Sequence, residues 1–128
     1  MNEQTINGTR VVFRDTIPAK FGWKLISPMN RLSTAFENAR KEIRAQIDDP
    51  ELAEDTQLIP IHQIAEIVGE VLSFEDIVRM VRGAVQEWDF EGDLSTDTCC
   101  DDLDTLDDLL PIVYRARTIY FRMNLSGE

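Results

Sequence analysis

Residues 60–88 read PIHQIAEIVGEVLSFEDIVRMVRGAVQEW, and the spacing of apolar side chains in this stretch decides the fold class. Ile61, Ile64, Ala65, Val68, Val71 and Leu72 recur at the steps that line one face of a 3.6-residue helix. Ser73-Phe74-Glu75-Asp76 follows as a variant capping box, in which the serine oxygen accepts from the amide three residues on and Asp replaces the usual Glu or Gln. Ile77, Met80, Val81, Ala84, Val85 and Trp88 then make a second face of the same period. The stretch predicts two amphipathic helices, over 60–72 and 73–88, with Trp88 as a structural anchor closing the second apolar face where the chain turns.

Upstream, Ser27-Pro28 has the form of an N-cap followed by proline at the first helical position, where a missing N–H costs nothing. Met29, Leu32, Phe36, Ala39 and Ile43 continue as one apolar stripe, which predicts a helix over 28–47 ended by Asp48-Asp49-Pro50. An acidic linker over 51–57 leads into Pro60. Downstream, Gly92 and a polar tract to Thr98 form a connection, and Leu103, Leu106, Leu110, Val113, Arg117 and Tyr120 share a last stripe. That stripe predicts a helix over 101–121, kinked or restarted at Pro111. The first eight residues are polar and read as loose. Val11-Val12-Phe13 and the run 21–26 are β-prone, with Pro18 and Gly22 as breakers, so they form either a small hairpin or an extended arm. The expectation is a mostly α, single small domain of four to five helices with an extended or short β-hairpin N-terminal arm. The arm occupies 1–26 and the helical domain 27–128.

A chain of 128 residues with 43% apolar content is sized and composed for one folded domain. Its formal net charge of −11 disfavours direct contact with a phosphate backbone, where affinity comes from Lys and Arg displacing counterions. The charge is unevenly placed. Residues 10–44 hold eight bases against three acids, 45–78 hold nine acids and no Lys or Arg, and 89–108 hold nine carboxylates and again no Lys or Arg. Such asymmetry steers association with a charged partner. No apolar run approaches the ~20 residues that span a bilayer, and the N-terminus lacks the basic start and apolar run of a signal peptide, so a cytoplasmic protein without membrane contact is expected.

Candidate chemistry is thin. His62 has only Glu66 within one helical turn, two ligands at most, so no metal site is expected. Cys99 and Cys100 read as reduced thiols, since adjacent cysteines bridge only with strain, and Asp97, Asp101 and Asp102 nearby disfavour a thiolate. Counted from Asp89, the acidic turn places Gly at position four and Cys100 at position twelve, which fails the calcium-loop pattern. There is no phosphate-cradling Gly loop, serine elbow or carboxylate pair, hence no catalytic residue, cofactor or metal is expected and the chain reads as a non-enzyme. Aromatic and basic residues together are enriched at interfaces. Phe13, Arg14, Phe21, Trp23 and Leu25, interleaved with Lys20 and Lys24, are accordingly the candidate partner-binding residues, against the alternative that Phe21 and Trp23 cap the helical core.

The pattern Val81-x-x-x-Val85-x-x-Trp88, an acidic turn through Gly92, and then Leu103-x-x-Leu106-x-x-x-Leu110 resembles the tail assembly chaperones of long-tailed bacteriophages and prophages. The resemblance covers residues 61–120, about half the chain. It implies a non-enzymatic, mostly helical phage morphogenesis protein of the host cytoplasm, outside the mature virion. Such a protein holds the tape-measure protein soluble and helps tail-tube subunits gather round it. The resemblance also implies a longer form made by a programmed frameshift. Two other readings compete: an acidic mimic of nucleic acid that inhibits a DNA-binding protein, and a helical interaction domain of another kind, with a second copy of the chain among the candidate partners.

Overall fold

The computed structural model describes residues 2–45 and 59–126. Strands β1 (Asn2–Ile6) and β2 (Thr9–Phe13) are followed by helices α1 (Ala19–Ala45), α2 (Ile61–Val71) and α3 (Phe74–Ala84). Strand β3 (Val85–Trp88), a π-helical turn (Thr105–Leu109) and helix α4 (Leu110–Ser126) complete the chain. The protein is a mostly α-helical small domain with a short three-stranded antiparallel sheet in the order β1-β2-β3. The expected ends of the first helix and the acidic linker, residues 46–57, lie outside the described residues.

A hairpin forms, but not between the segments the sequence singled out. Ile6 pairs with Thr9 across a two-residue loop, Asn7 at φ 49° and Gly8 at φ 80°. Those left-handed angles match the right-handed twist of the flanking strands, and Asn-Gly is the pair that adopts them at least cost. Residues 2–6, read as loose, are thus a strand. The run 21–26, read as β-prone, is helical instead. Phe21 and Leu25 extend the stripe of Met29, Leu32, Phe36 and Ala39 backwards by two turns, and all six are buried. Burial of that continuous face outweighs the local signals against it. Pro28 lies inside α1, with its ring in the core rather than at a helix start, although it leaves the Lys24 carbonyl without its i+4 donor. The boundary expected at 26/27 therefore falls within a helix.

The second correction concerns the end of α3. Ser73 caps this helix as read, its Oγ accepting from the Asp76 amide at 3.1 Å. The helix stops at Ala84, not at Trp88, and Val85–Trp88 pairs with β2, Val11 opposite Trp88 and Phe13 opposite Val85, with a bulge at Val12/Phe13. The Arg14 amide donates to the Ala84 carbonyl at 2.7 Å, which locks the crossing of strand and helix. Strand β2 has otherwise unpaired donors and acceptors on that side, and a β-branched, aromatic segment satisfies them better than one more helical turn would. The arm and the helical part are consequently one sheet-and-helix unit.

Helix α4 begins later than expected. Asp104 accepts from the amides of Leu106 and Asp107 at 3.0 and 2.8 Å, which starts the π-helical turn, and Pro111, which has no amide hydrogen to donate, falls in the first turn of α4 where that turn passes into α-helix. Ile112, Val113, Ala116, Ile119 and Tyr120 bury against α1 and α3, closing one core with Val11, Phe13 and Val85 of the sheet.

Candidate functional site

At the start of α1, one turn of helix meets α3 and the loop that follows β3. Phe21, 9% exposed, lies at the edge of the core with the Lys20 ammonium 5.0 Å and the Arg82 guanidinium 5.3 Å from its ring centre. A groove of about 640 Å³ opens over it, walled by Lys20 and Lys24 of α1, by Phe74, Val78 and Arg79 of α3, and by Asp97 and Asp101 of the loop.

Arg82 builds the loop wall. Its Nε donates to the Leu94 carbonyl at 2.9 Å, Nη1 to the Asp97 carboxylate at 2.8 Å and Nη2 to the Ser95 carbonyl at 3.1 Å. Asp93 finishes the turn. Its Oδ1 accepts from the Ser95 amide at 2.9 Å and the Ser95 hydroxyl at 2.7 Å, and these bonds hold its carboxyl below the usual range. Arg79 is committed to Asp76 and Glu75, both at 3.1 Å. Lys20 and Lys24 make no ion pair among the described residues, and neither does Asp101 across the groove, so charges of both signs stand open there.

Two large apolar side chains stand exposed around these lysines. Trp23, three residues along the helix from Lys20, is 78% exposed, and Phe74, at the first position of α3, is 50% exposed. Trp23 points away from the buried stripe of α1, on the side that carries Asn30 and Thr34. Burying a side chain of either size from water is worth roughly 1.5–3 kcal/mol or more. Leaving both open is a cost that a docked partner would remove.

The five candidate contact residues of the sequence reading therefore separate. Phe13 and Leu25 are completely buried and offer no surface to a partner in this conformation, because they fill the core between sheet and helices. Arg14 is half-buried, Phe21 floors the groove and Trp23 is exposed. Phe74 was read only as part of the capping segment. Its signal was an aromatic side chain at the first helical position, ahead of the stripe begun by Ile77.

Trp88 does not close a helical face. It is half-buried on β3, donates from Nε1 to the Gly92 carbonyl at 2.7 Å and packs edge-to-face on Phe90 at 5.2 Å. It pins the acidic turn to the sheet edge. The acidic stretch that follows is largely committed to its own fold. Asp97 pairs with Arg82, Asp104 caps the π-helical turn and Asp108 accepts from the Asn7 side chain at 2.9 Å.

Cys99 and Cys100 are free and buried, their sulfurs 3.7 Å apart. The contact with Cys99 and burial push the Cys100 thiol up, whereas the hydrogen bond from Cys100 and the charge of Arg82 pull Cys99 down. Among the described residues no group of three metal-ligating side chains is gathered, and no helix is long and apolar enough to cross a membrane. His62 is exposed on α2. Comparison with protein-family models, with curated proteins and with solved structures yields no match.

Proposed function

We propose that this protein is a non-enzymatic assembly factor that docks an extended or helical polypeptide on the face formed by the start of α1 and the start of α3. In the most specific form of this reading it is a tail assembly chaperone, with the phage tape-measure protein as client and tail-tube subunits as further partners. The observation that carries the docking role is the exposure of Phe74 in the groove walled by Lys20 and Lys24, with Trp23 exposed on the same turn of α1 outside that groove. Large exposed aromatic side chains are enriched at interface hot spots rather than on an ordinary solvated surface. The client assignment rests on the likeness of the stretch from Val81 to Leu110 to tail assembly chaperones. Because Val85–Trp88 is a strand, that likeness is one of sequence and not of a helix ending in tryptophan.

Co-expression with a phage tape-measure polypeptide tests the reading. The client is expected in the soluble fraction with the wild-type chain and in the pellet with the doubly substituted Trp23→Ser, Phe74→Ser chain. A client equally insoluble with and without the wild-type chain would contradict the assignment.

A further inference from the structure

Beside the groove, and sharing Lys20, Phe21 and Arg82 with it, lies a pocket of about 350 Å³ whose remaining wall includes Arg14, Val85 and Leu94. Three cations face it and no carboxylate lines it, in a chain that carries 24 acids against 13 bases. Arg82 is satisfied by the loop, as described. Lys20 has only the Phe21 ring, and Arg14 makes no ion pair among the described residues. The Arg14 Nε is buried and has no acceptor there either. A buried Nε–H left without an acceptor is costly, and the backbone that carries it is held by the hydrogen bond from the Arg14 amide to the Ala84 carbonyl.

We propose that this pocket is a carboxylate site, which takes a Glu or Asp side chain of the docked polypeptide while that polypeptide's apolar face covers Phe74 in the adjoining groove. The inference rests on the docking reading above. The pocket volume of about 350 Å³ admits a Glu or Asp side chain with room to spare. A guanidinium and an ammonium converging on a carboxylate give the charge-assisted bonds that set register along an otherwise apolar contact. A nucleic acid chain fits poorly. Its neighbouring phosphates would run into the adjoining groove, where Glu75, Asp97 and Asp101 stand.

The test is binding of the full chain to two labelled amphipathic helical peptides, identical except that one carries Glu and the other Gln at its polar positions. The Glu peptide is expected to bind at least about tenfold tighter, the worth of one charge-assisted bond. Arg14→Gln and Lys20→Gln should each erase most of that preference, and Lys41→Gln, an exposed cation farther along α1, should keep it. Lys20 is exposed, so its variant reports on the pocket even if Arg14→Gln fails to fold. Equal affinity for the two peptides, binding of neither, or a preference that survives Lys20→Gln overturns the proposal. Displacement of the peptide by inorganic phosphate beyond that caused by chloride at equal ionic strength would assign the pocket to free phosphate and overturn it as well. A chain that solubilises its client yet shows no Glu preference refutes the pocket alone. One that prefers the Glu peptide yet leaves the client insoluble refutes the client alone.

Discussion

The Tyr120 hydroxyl donates a 3.0 Å hydrogen bond to the Met80 carbonyl, which ties α4 to the middle of α3 inside the core. The ring is completely buried, and burial lifts the phenol well above its ordinary value, with Arg14 and Arg79 nearby pulling the other way. The unfolded chain loses this proton near pH ~10, whereas the folded chain holds it to higher pH. The stabilisation is therefore complete below pH ~10 and falls as pH rises toward the folded value, by up to ~1.4 kcal/mol per pH unit. Tyr120→Phe is expected to cost ~0.5–1.5 kcal/mol at neutral pH and to flatten the alkaline limb. Urea unfolding of both chains at neutral and alkaline pH checks this, and parallel limbs would contradict it.

Gly83 makes that contact possible. A Cβ built there would lie 2.5 Å from the Tyr120 hydroxyl and 2.8 Å from the Phe21 Cβ. Helix propensity favours alanine over glycine by ~1 kcal/mol, but overpacking a core costs ~1–3 kcal/mol. Packing should win, so Gly83→Ala lowers the urea midpoint, and it should also disturb the groove over Phe21. A midpoint that rises would mean that the helices separate at no cost.

The two thiols should be slow to react. Cys99 and Cys100 are 2% and 1% exposed, so a reagent does not reach either sulfur in the folded chain, although Arg82 favours the Cys99 thiolate. An aromatic disulfide reagent is expected to modify neither cysteine in the native chain at the rate of a free thiol, and both in urea. Immediate native labelling would show that the loop carrying them opens.

The helical part of the fold was legible from residues 60–84 and 103–120, because burial on one face imposes a 3.6-residue period that survives any context. What failed was decided by competition between elements. Phe21 and Leu25 belong to the stripe of Met29 and Leu32, but Pro28 and Gly22 locally argue against helix there, and only the shared core resolves the conflict. Val85–Trp88 carries both periods at once, and the unpaired edge of β2, remote in sequence, selects the strand. The hairpin was readable. Asn7-Gly8 is the strongest short-range turn signal in the chain, masked by the polarity of residues 2–5 around it. Of the site, Trp23 and Lys20 were visible in the sequence, whereas the placement of Phe74 and Arg82 opposite them follows from how α1 crosses α3.

That turn yields its own prediction. Gly8 sits at φ 80° with open space around its Cα, so Gly8→Ala meets no steric neighbour and pays only for the left-handed backbone, ~1–2 kcal/mol. Thermal unfolding checks the loss. Gly8→Asn should recover part of it, since asparagine tolerates such angles better than alanine does.

The proposed docking of a polypeptide client at the starts of α1 and α3, where Trp23 and Phe74 are exposed, is read most plainly by calorimetric titration of the full chain with a purified helical segment of a phage tape-measure polypeptide. Trp23→Ser is predicted to weaken that affinity by at least about thirtyfold, the signature of a hot spot worth ~2 kcal/mol, without lowering the unfolding midpoint, because Trp23 contributes little to the core. An affinity unchanged by Trp23→Ser would contradict the account and move the contact surface to another face of the molecule.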